Sequence, residues 1–158
     1  MTSPGFESFY AGQVDRVYRA LAVAVGDPDL AREATDEAML RAYARWSRVG
    51  AYDNPGGWVF RVGLNWATSR WRRTRRERPL AEAPPIPPPE VDDTAALTAL
   101  AALPVPQRAV VVCRVLLDMS TVETATALNL AEGTVKSRLA RALAGLRNTL
   151  GEVDAEHR

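Results

Sequence analysis

Cysteine and histidine are almost absent from this chain of 158 residues: Cys113 is the only thiol and His157, in the tail, the only imidazole. One cysteine forms no internal disulfide, and the two side chains together supply neither a Cys-rich zinc site nor a histidine-based triad. No metal and no cofactor are expected. Long apolar runs are missing as well, since no window approaches the roughly 18 to 20 uninterrupted apolar residues of a spanning helix. The start, Met1 to Gly5, lacks the basic-then-apolar layout of a secretory leader, so a cytoplasmic, membrane-free location is expected. Strand-forming sequence is scarce, its one β-branched run, Val110 to Val112, sitting inside a helical pattern. Lysine is nearly absent, one against 19 arginines, a bias expected of a GC-rich genome. The acidic pairs Asp36/Glu37 and Asp92/Asp93 are adjacent, so on helices they diverge by about 100° and are poor partners for one reaction. Neither an enzyme nor a small-molecule substrate is indicated.

What the chain does have is average bulk composition, 47% apolar and 25% charged, with an uneven distribution. Net charge is +1, yet Asn54 to Arg78 holds seven arginines (Arg61, Arg70, Arg72, Arg73, Arg75, Arg76, Arg78) against Glu77 alone. Pro79 to Gln107 then carries four acids, Glu82, Glu90, Asp92 and Asp93, and no base. Such segregation suggests a polyanion-binding face followed by a segment kept away from it. Between them, Pro79 to Glu90 holds six of the eleven prolines and reads as an extended tether joining two small helical units.

In the first unit, Phe6, Tyr10, Val14, Val17, Leu21 and Ala24 recur at helical spacing and Gly26 ends the stripe. Asp27 and Pro28 open a second helix, with Ala31, Thr35, Ala38, Ala42 and Trp46 on its buried side and its end near Gly50. Asn54 and Pro55 open a third, which runs into the arginines. In the second unit, Leu97, Leu100 and Leu103 belong to a short helix before Pro104, and Val105, Ala109, Val112 and Leu116 to the next. Ser120 with Glu123 forms a capping box, and a turn at Leu128 to Ala131, with Asn129 at the left-handed position, gives helix-turn-helix spacing before a last helix reaching about Leu150.

The faces differ in chemistry. On the last helix Val135, Leu139, Ala142, Leu143, Leu146 and Leu150 share the core side; Ser137, Arg141 and Asn148 lie opposite, flanked by Thr134 and Arg138. Hydroxyl, amide and guanidinium groups in the N-terminal half of such a helix suit major-groove readout. On the third helix, two apolar stripes leave a strip of Trp58, Arg61, Asn65, Thr68 and Arg72, in which a tryptophan beside arginines suits stacking on unpaired bases. On the second, Glu33, Glu37, Arg41 and Ala44 lie away from the stripe with Leu40 among them, and a large apolar residue on a charged face often marks a protein contact.

Together these segments resemble the extracytoplasmic-function sigma factors, short two-domain initiation factors of bacterial RNA polymerase within the sigma-70 family. The resemblance spans about Phe6 to Leu150. It is carried by Glu132 to Arg138 within AEGTVKSRLARALAGLR, by Leu100-Ala101-Ala102-Leu103-Pro104 with Gln107-Arg108, by NPGGWVFRVGLNWATSRWRR and by EATDEAMLRAY. It implies an all-α fold of two domains. Residues 1–78 would be sigma region 2, 79–94 a flexible acidic linker, 95–151 the region 4 helix-turn-helix and 152–158 a tail. It further implies that Glu33, Asp36, Glu37, Leu40 and Arg41 bind the clamp helices of the polymerase largest subunit. Asn54, Trp58, Arg61, Asn65, Thr68, Arg72 and Arg73 would read and help melt the minus-ten element. Glu132, Thr134, Lys136, Ser137, Arg138 and Arg141 would read the minus-thirty-five element while that domain sits on the flap.

The implied partners are core polymerase, promoter DNA and an anti-sigma protein wedged between the domains, with no membrane. The linker acids would lie near the RNA path. The rival expectation is a helix-turn-helix regulator acting on duplex DNA without polymerase, which leaves the arginine helix and the Glu33 face unexplained; an interaction module that titrates a regulator is a third.

The sequence departs from the family pattern at Asp36 (usually glutamine), Met39 (usually aromatic), Asn129 (commonly glycine) and Ala131 (usually a serine or threonine cap). Ala131→Ser is expected to stabilise the C-terminal domain by roughly 1 kcal/mol. Chemical denaturation of the full chain measures it, and an unchanged or lowered midpoint would place the cap elsewhere.

Overall fold

The apolar spacing from Phe6 to Ala24 is realised as helix α1, Phe6–Val25. Gly26 stops it by turning left-handed at φ 78°, where glycine meets no Cβ penalty, and its amide donates to the Ala22 carbonyl. Asp27 then opens α2, Pro28–Ala44: its carboxylate accepts from the Leu30 amide at 3.1 Å, and Pro28 takes the first turn. The computed structural model describes residues 5–77 and 94–156, excepting the side chains at 71, 74–77, 94 and 152–156. The proline tether, its four acids and His157 lie outside the described residues. The chain divides into two units, Met1–Pro87 and Pro88–Arg158.

Two details of the first unit differ from the sequence reading. Helix α2 ends at Ala44 and not near Gly50, because Arg45 leaves the helical region at φ −119° and a separate turn, α3 (Trp46–Val49), follows. The break brings the Trp46 ring within 5.4 Å of Phe6, edge-on, and 5.0 Å of Phe9, arrangements that add to its area burial. Trp46 is accordingly half-buried against α1 and not part of the buried side of α2, where Ala34 and Met39 join the expected residues. The α1 stripe also fades toward its start: Val17, Leu21 and Ala24 are buried, Val14 and Phe6 half-buried, and Tyr10 is exposed.

Helix α4, Pro55–Glu77, begins as expected, with Asn54 Oδ1 accepting from the Gly57 amide at 3.0 Å. Helices α1, α2 and α4 pack on one another around Val17, Leu21, Ala31, Ala38, Val59 and Phe60, all fully buried. Gly63 is where α4 comes closest: a Cβ there would sit 2.7 Å from Leu21 Cδ1 and 3.4 Å from the Ala34 carbonyl oxygen.

The second unit is built on α8, Glu132–Glu156, against which α5 (Thr94–Ala101), α6 (Val105–Val111) and α7 (Thr121–Leu128) pack. Leu103 lies beyond the end of α5 and not within it. The helix expected through Leu116 changes pitch at Val112, giving a π-helical turn, Val112–Leu116, with the Leu117 amide donating to the Val112 carbonyl. Asp118 turns left-handed at φ 51°, and Arg114 Nη1 donates to the Met119 carbonyl. The buried Arg108 donates through Nη1 to the Ala101 carbonyl at the end of α5, and burial lowers its pKa. The Ser120 and Glu123 capping box is present in both directions, at 3.0 and 3.1 Å. Asn129 adopts φ 55°, ψ 51°, and the Val135 amide donates to the Ala131 carbonyl, so the last helix starts where Ala131 must cap it. Among the described residues all regular structure is helical; no helix there is long and apolar enough to cross a membrane, and no His, Cys, Asp and Glu cluster could hold a metal.

Gly63→Ala is expected to destabilise the chain by about 1 kcal/mol or more, because the fully buried Leu21 has no room to yield. Gly12→Ala, on open α1 surface, is expected to be neutral or slightly stabilising, and urea melts of the two distinguish a packing effect from a helix-propensity effect. Burial pushes the Cys113 thiol up from 9.0 to about 12. The unfolded chain therefore releases this proton first: the contribution is full below pH 9 and is lost as pH rises toward 12. Cys113→Ala should remove that part of the alkaline fall in stability, read by urea midpoints across the window.

Candidate nucleic-acid interface

The burial of Val59, Phe60, Gly63 and Ala67 fixes which side of α4 faces outward. Arg61, Asn65, Thr68 and Arg72 are exposed, as a strip opposite that core requires, and Arg73 is exposed to one side of it, about 60° around the helix from Arg70. The Thr68 hydroxyl donates to the Leu64 carbonyl at 2.7 Å, so its oxygen retains acceptor capacity. Asn54 is half-buried with its Oδ1 engaged in the helix cap, leaving its amide nitrogen as the group to offer. Trp58 is neither core nor open platform: it is half-buried, one turn into the helix beside Arg61. The strip thus presents guanidinium and amide donors along a backbone-length stretch with a partly exposed ring at its N-terminal end.

The run of arginines does not act as one face. Arg70 lies off the strip and turns toward α2, its Nε 3.6 Å from Glu33 Oε2 and its guanidinium over the Trp66 ring at 5.5 Å. Both ends of this pair are more than half exposed, so it contributes at most about 1 kcal/mol to stability. The Trp66 to Arg70 spacing of four was visible in the sequence; the meeting with Glu33, 37 positions away, depends on how α2 and α4 pack. On α2, Glu33, Asp36, Leu40 and Arg41 are exposed and Glu37 half-buried, with Arg41 Nε donating to Glu37 Oε1 at 3.0 Å. Leu40, 63% exposed, stands among them as the largest apolar group on that face. Between α1 and α2, Phe6, Tyr10, Met39, Leu40 and Tyr43 line an apolar groove of about 430 Å³.

In the second unit the fully buried Val135 sits with Val110 and Ala125 in a core that Leu128, Leu130 and Leu139 complete. This anchors the first turn of α8 and sends Glu132, Lys136, Ser137 and Arg141 outward, with Thr134 and Arg138 half-buried at the flanks. The Ser137 hydroxyl donates to the Thr134 carbonyl at 3.1 Å. Leu143, expected on the core side, is at the surface, although its neighbour Ala142 is fully buried. Arg108, noted in the sequence only within the family-like Gln107-Arg108 pair, and Arg114 tie the end of α5 and the turn before α7, roles that the sequence reading did not foresee.

The model for sigma-70 region 4 matches residues 93–146, the segment containing α5 to most of α8. The RNA polymerase sigma-E factor of Streptomyces avermitilis is 35% identical over 161 residues, covering 97% of this chain and 89% of that protein. The ECF RNA polymerase sigma factor SigM of Mycobacterium tuberculosis is 36% identical over 145 residues, covering 88% of this chain and 72% of its own. Among solved structures, the sigma factor RpoE of Bartonella quintana, in complex with the anti-sigma factor NepR, superposes with a TM-score of 0.80 over 94% of this chain and 98% of that one, at 22% identity, a likeness of fold. A two-unit helical chain with an outward basic helix and a capped helix-turn-helix therefore belongs to the ECF RNA polymerase sigma factors, DNA-binding proteins of transcription initiation.

Proposed function

We propose that this sigma factor holds core polymerase through the exposed α2 face (Glu33, Asp36, Glu37, Leu40, Arg41), reads and helps melt the minus-ten element with α4, and reads the minus-thirty-five element with α8. The observation that carries this is the outward strip on α4, where Arg61, Asn65, Thr68 and Arg72 are exposed, with Arg73 to one side, while Trp58 keeps part of its ring at the surface. Unstacking a base costs a few kcal/mol, which stacking on an aromatic ring and phosphate contacts to arginines offset. Melting then follows from binding energy, with nucleotidyl transfer left to the polymerase. In the second unit, Thr134, Lys136, Ser137, Arg138 and Arg141 supply hydroxyl and cationic donors for base edges and phosphates, with Glu132 able to accept from cytosine. An anti-sigma protein is the second proposed partner, and the apolar groove of Phe6, Tyr10, Met39 and Tyr43 beside Leu40 supports it.

Run-off transcription on a genomic promoter library, with core polymerase in the presence and absence of the protein, tests the reading. Start sites that depend on the protein and share two spaced upstream elements are expected. Sequence-specific duplex binding with no dependent transcripts would favour a regulator acting without polymerase. The double variant Trp58→Ala, Arg61→Ala is expected to associate normally with polymerase and to lose promoter opening by at least about tenfold, measured by permanganate footprinting. Loss of the folded state would assign Trp58 to the core instead.

A further inference from the structure

We infer that the surface α2 offers to polymerase continues onto α4 through Trp66 and Arg70, so that α4 meets a polypeptide on one side and nucleic acid on the other. This rests on the reading of α2 as the polymerase face. Arg70 lies roughly 160 to 180° around the helix from Arg61 and Arg72, with Arg73 about 60° from it, and is on the side turned to α2. There it reaches Glu33 at 3.6 Å and covers the Trp66 ring at 5.5 Å. Glu33, Asp36, Glu37, Leu40, Trp66 and Arg70 line a single shallow groove.

The chemistry of this groove selects its occupant. Glu33 and Glu37 meet Arg70 and Arg41 while Asp36 adds a further carboxylate, so the groove disfavours a phosphate backbone although it lies beside the most basic stretch of the chain. Leu40 and Trp66 offer apolar contact between charged rims. The matching partner is a polymerase helix with an apolar ridge for Leu40 and Trp66 and basic side chains for Asp36 and Glu37. Arg70, held by Glu33 and the indole ring, forms the wall against which that ridge is seated.

The test uses the full chain assembled with core polymerase and a forked promoter DNA. Leu40, Arg70 and Arg61 are replaced one at a time by the photo-crosslinker p-benzoylphenylalanine. Positions 40 and 70 should both crosslink to a polymerase subunit, and position 61 to DNA. Crosslinking from position 70 to DNA, or to no polymerase subunit while position 40 still reaches one, would overturn the inference and leave the α2 reading intact. If position 40 also misses polymerase in an assembled complex, the α2 reading itself falls and the inference with it. Independently, Arg70→Ala should weaken core affinity by about three- to tenfold with an unchanged melting temperature. Wild-type affinity would count against the seated wall.

Discussion

The rotation of α4 about its own axis is fixed by the close approach at Gly63, and the chemistry of the first unit depends on it. With no side chain at that position, α4 settles against Leu21 of α1 and the Ala34 carbonyl of α2, and Val59, Phe60 and Ala67 follow into the core. That one contact divides the basic helix. Arg61, Arg72 and Arg73 are left on open surface, whereas Arg70 is carried toward Glu33. A helix turned by about half a revolution would exchange these roles and bring carboxylates of α2 beside the arginines proposed to hold phosphate.

In the second unit Val135 has the corresponding role. A buried residue in the first turn of a helix constrains that turn, which suits a helix whose N-terminal half is proposed to meet base edges. The turn before it is set by Asn129 in the left-handed region, and α7 is set by its capping box. Behind these, Arg108 and Arg114 bond to carbonyls that no helix partner can satisfy, at the end of α5 and in the reversal after the π-helical turn. Placing guanidinium groups inside a small core is costly unless they are hydrogen-bonded. Here Nη1 of each is so bonded, to the Ala101 and Met119 carbonyls.

The local devices of this fold were legible because each is written in adjacent residues. Gly26, Asp27 with Pro28, Asn54, Ser120 with Glu123, and Asn129 all act within four positions of themselves, and the structure places every one as its chemistry requires. The exposed Leu40 and the α4 strip were legible through helical periodicity alone. What periodicity could not give is anything decided between helices. The end of α2, expected near Gly50, falls at Ala44, and the break there packs the Trp46 ring on Phe6 and Phe9. The sorting of Arg70 away from its neighbours, and the surfacing of Leu143, likewise depend on which helix lies alongside.

Charge bears on how selectivity would arise under the proposed function. A net charge of +1 gives little long-range attraction to DNA, so encounter is not steered by the chain as a whole. Among the described side chains α4 exposes Arg61, Arg72 and Arg73 besides the Arg70 pair, and on single-stranded DNA three phosphate contacts give a log-log salt dependence of only about −2. The exposed cations of α8 are as few. Three contacts of this kind give only a modest electrostatic share of affinity at physiological salt. Joint engagement changes this, because binding of one unit raises the effective concentration of the other at its own element. On that account discrimination belongs to the assembly: the acidic groove on the α2 side of α4 keeps nucleic acid off the wrong face, polymerase fills it, and only then can both weak contacts be made on one promoter.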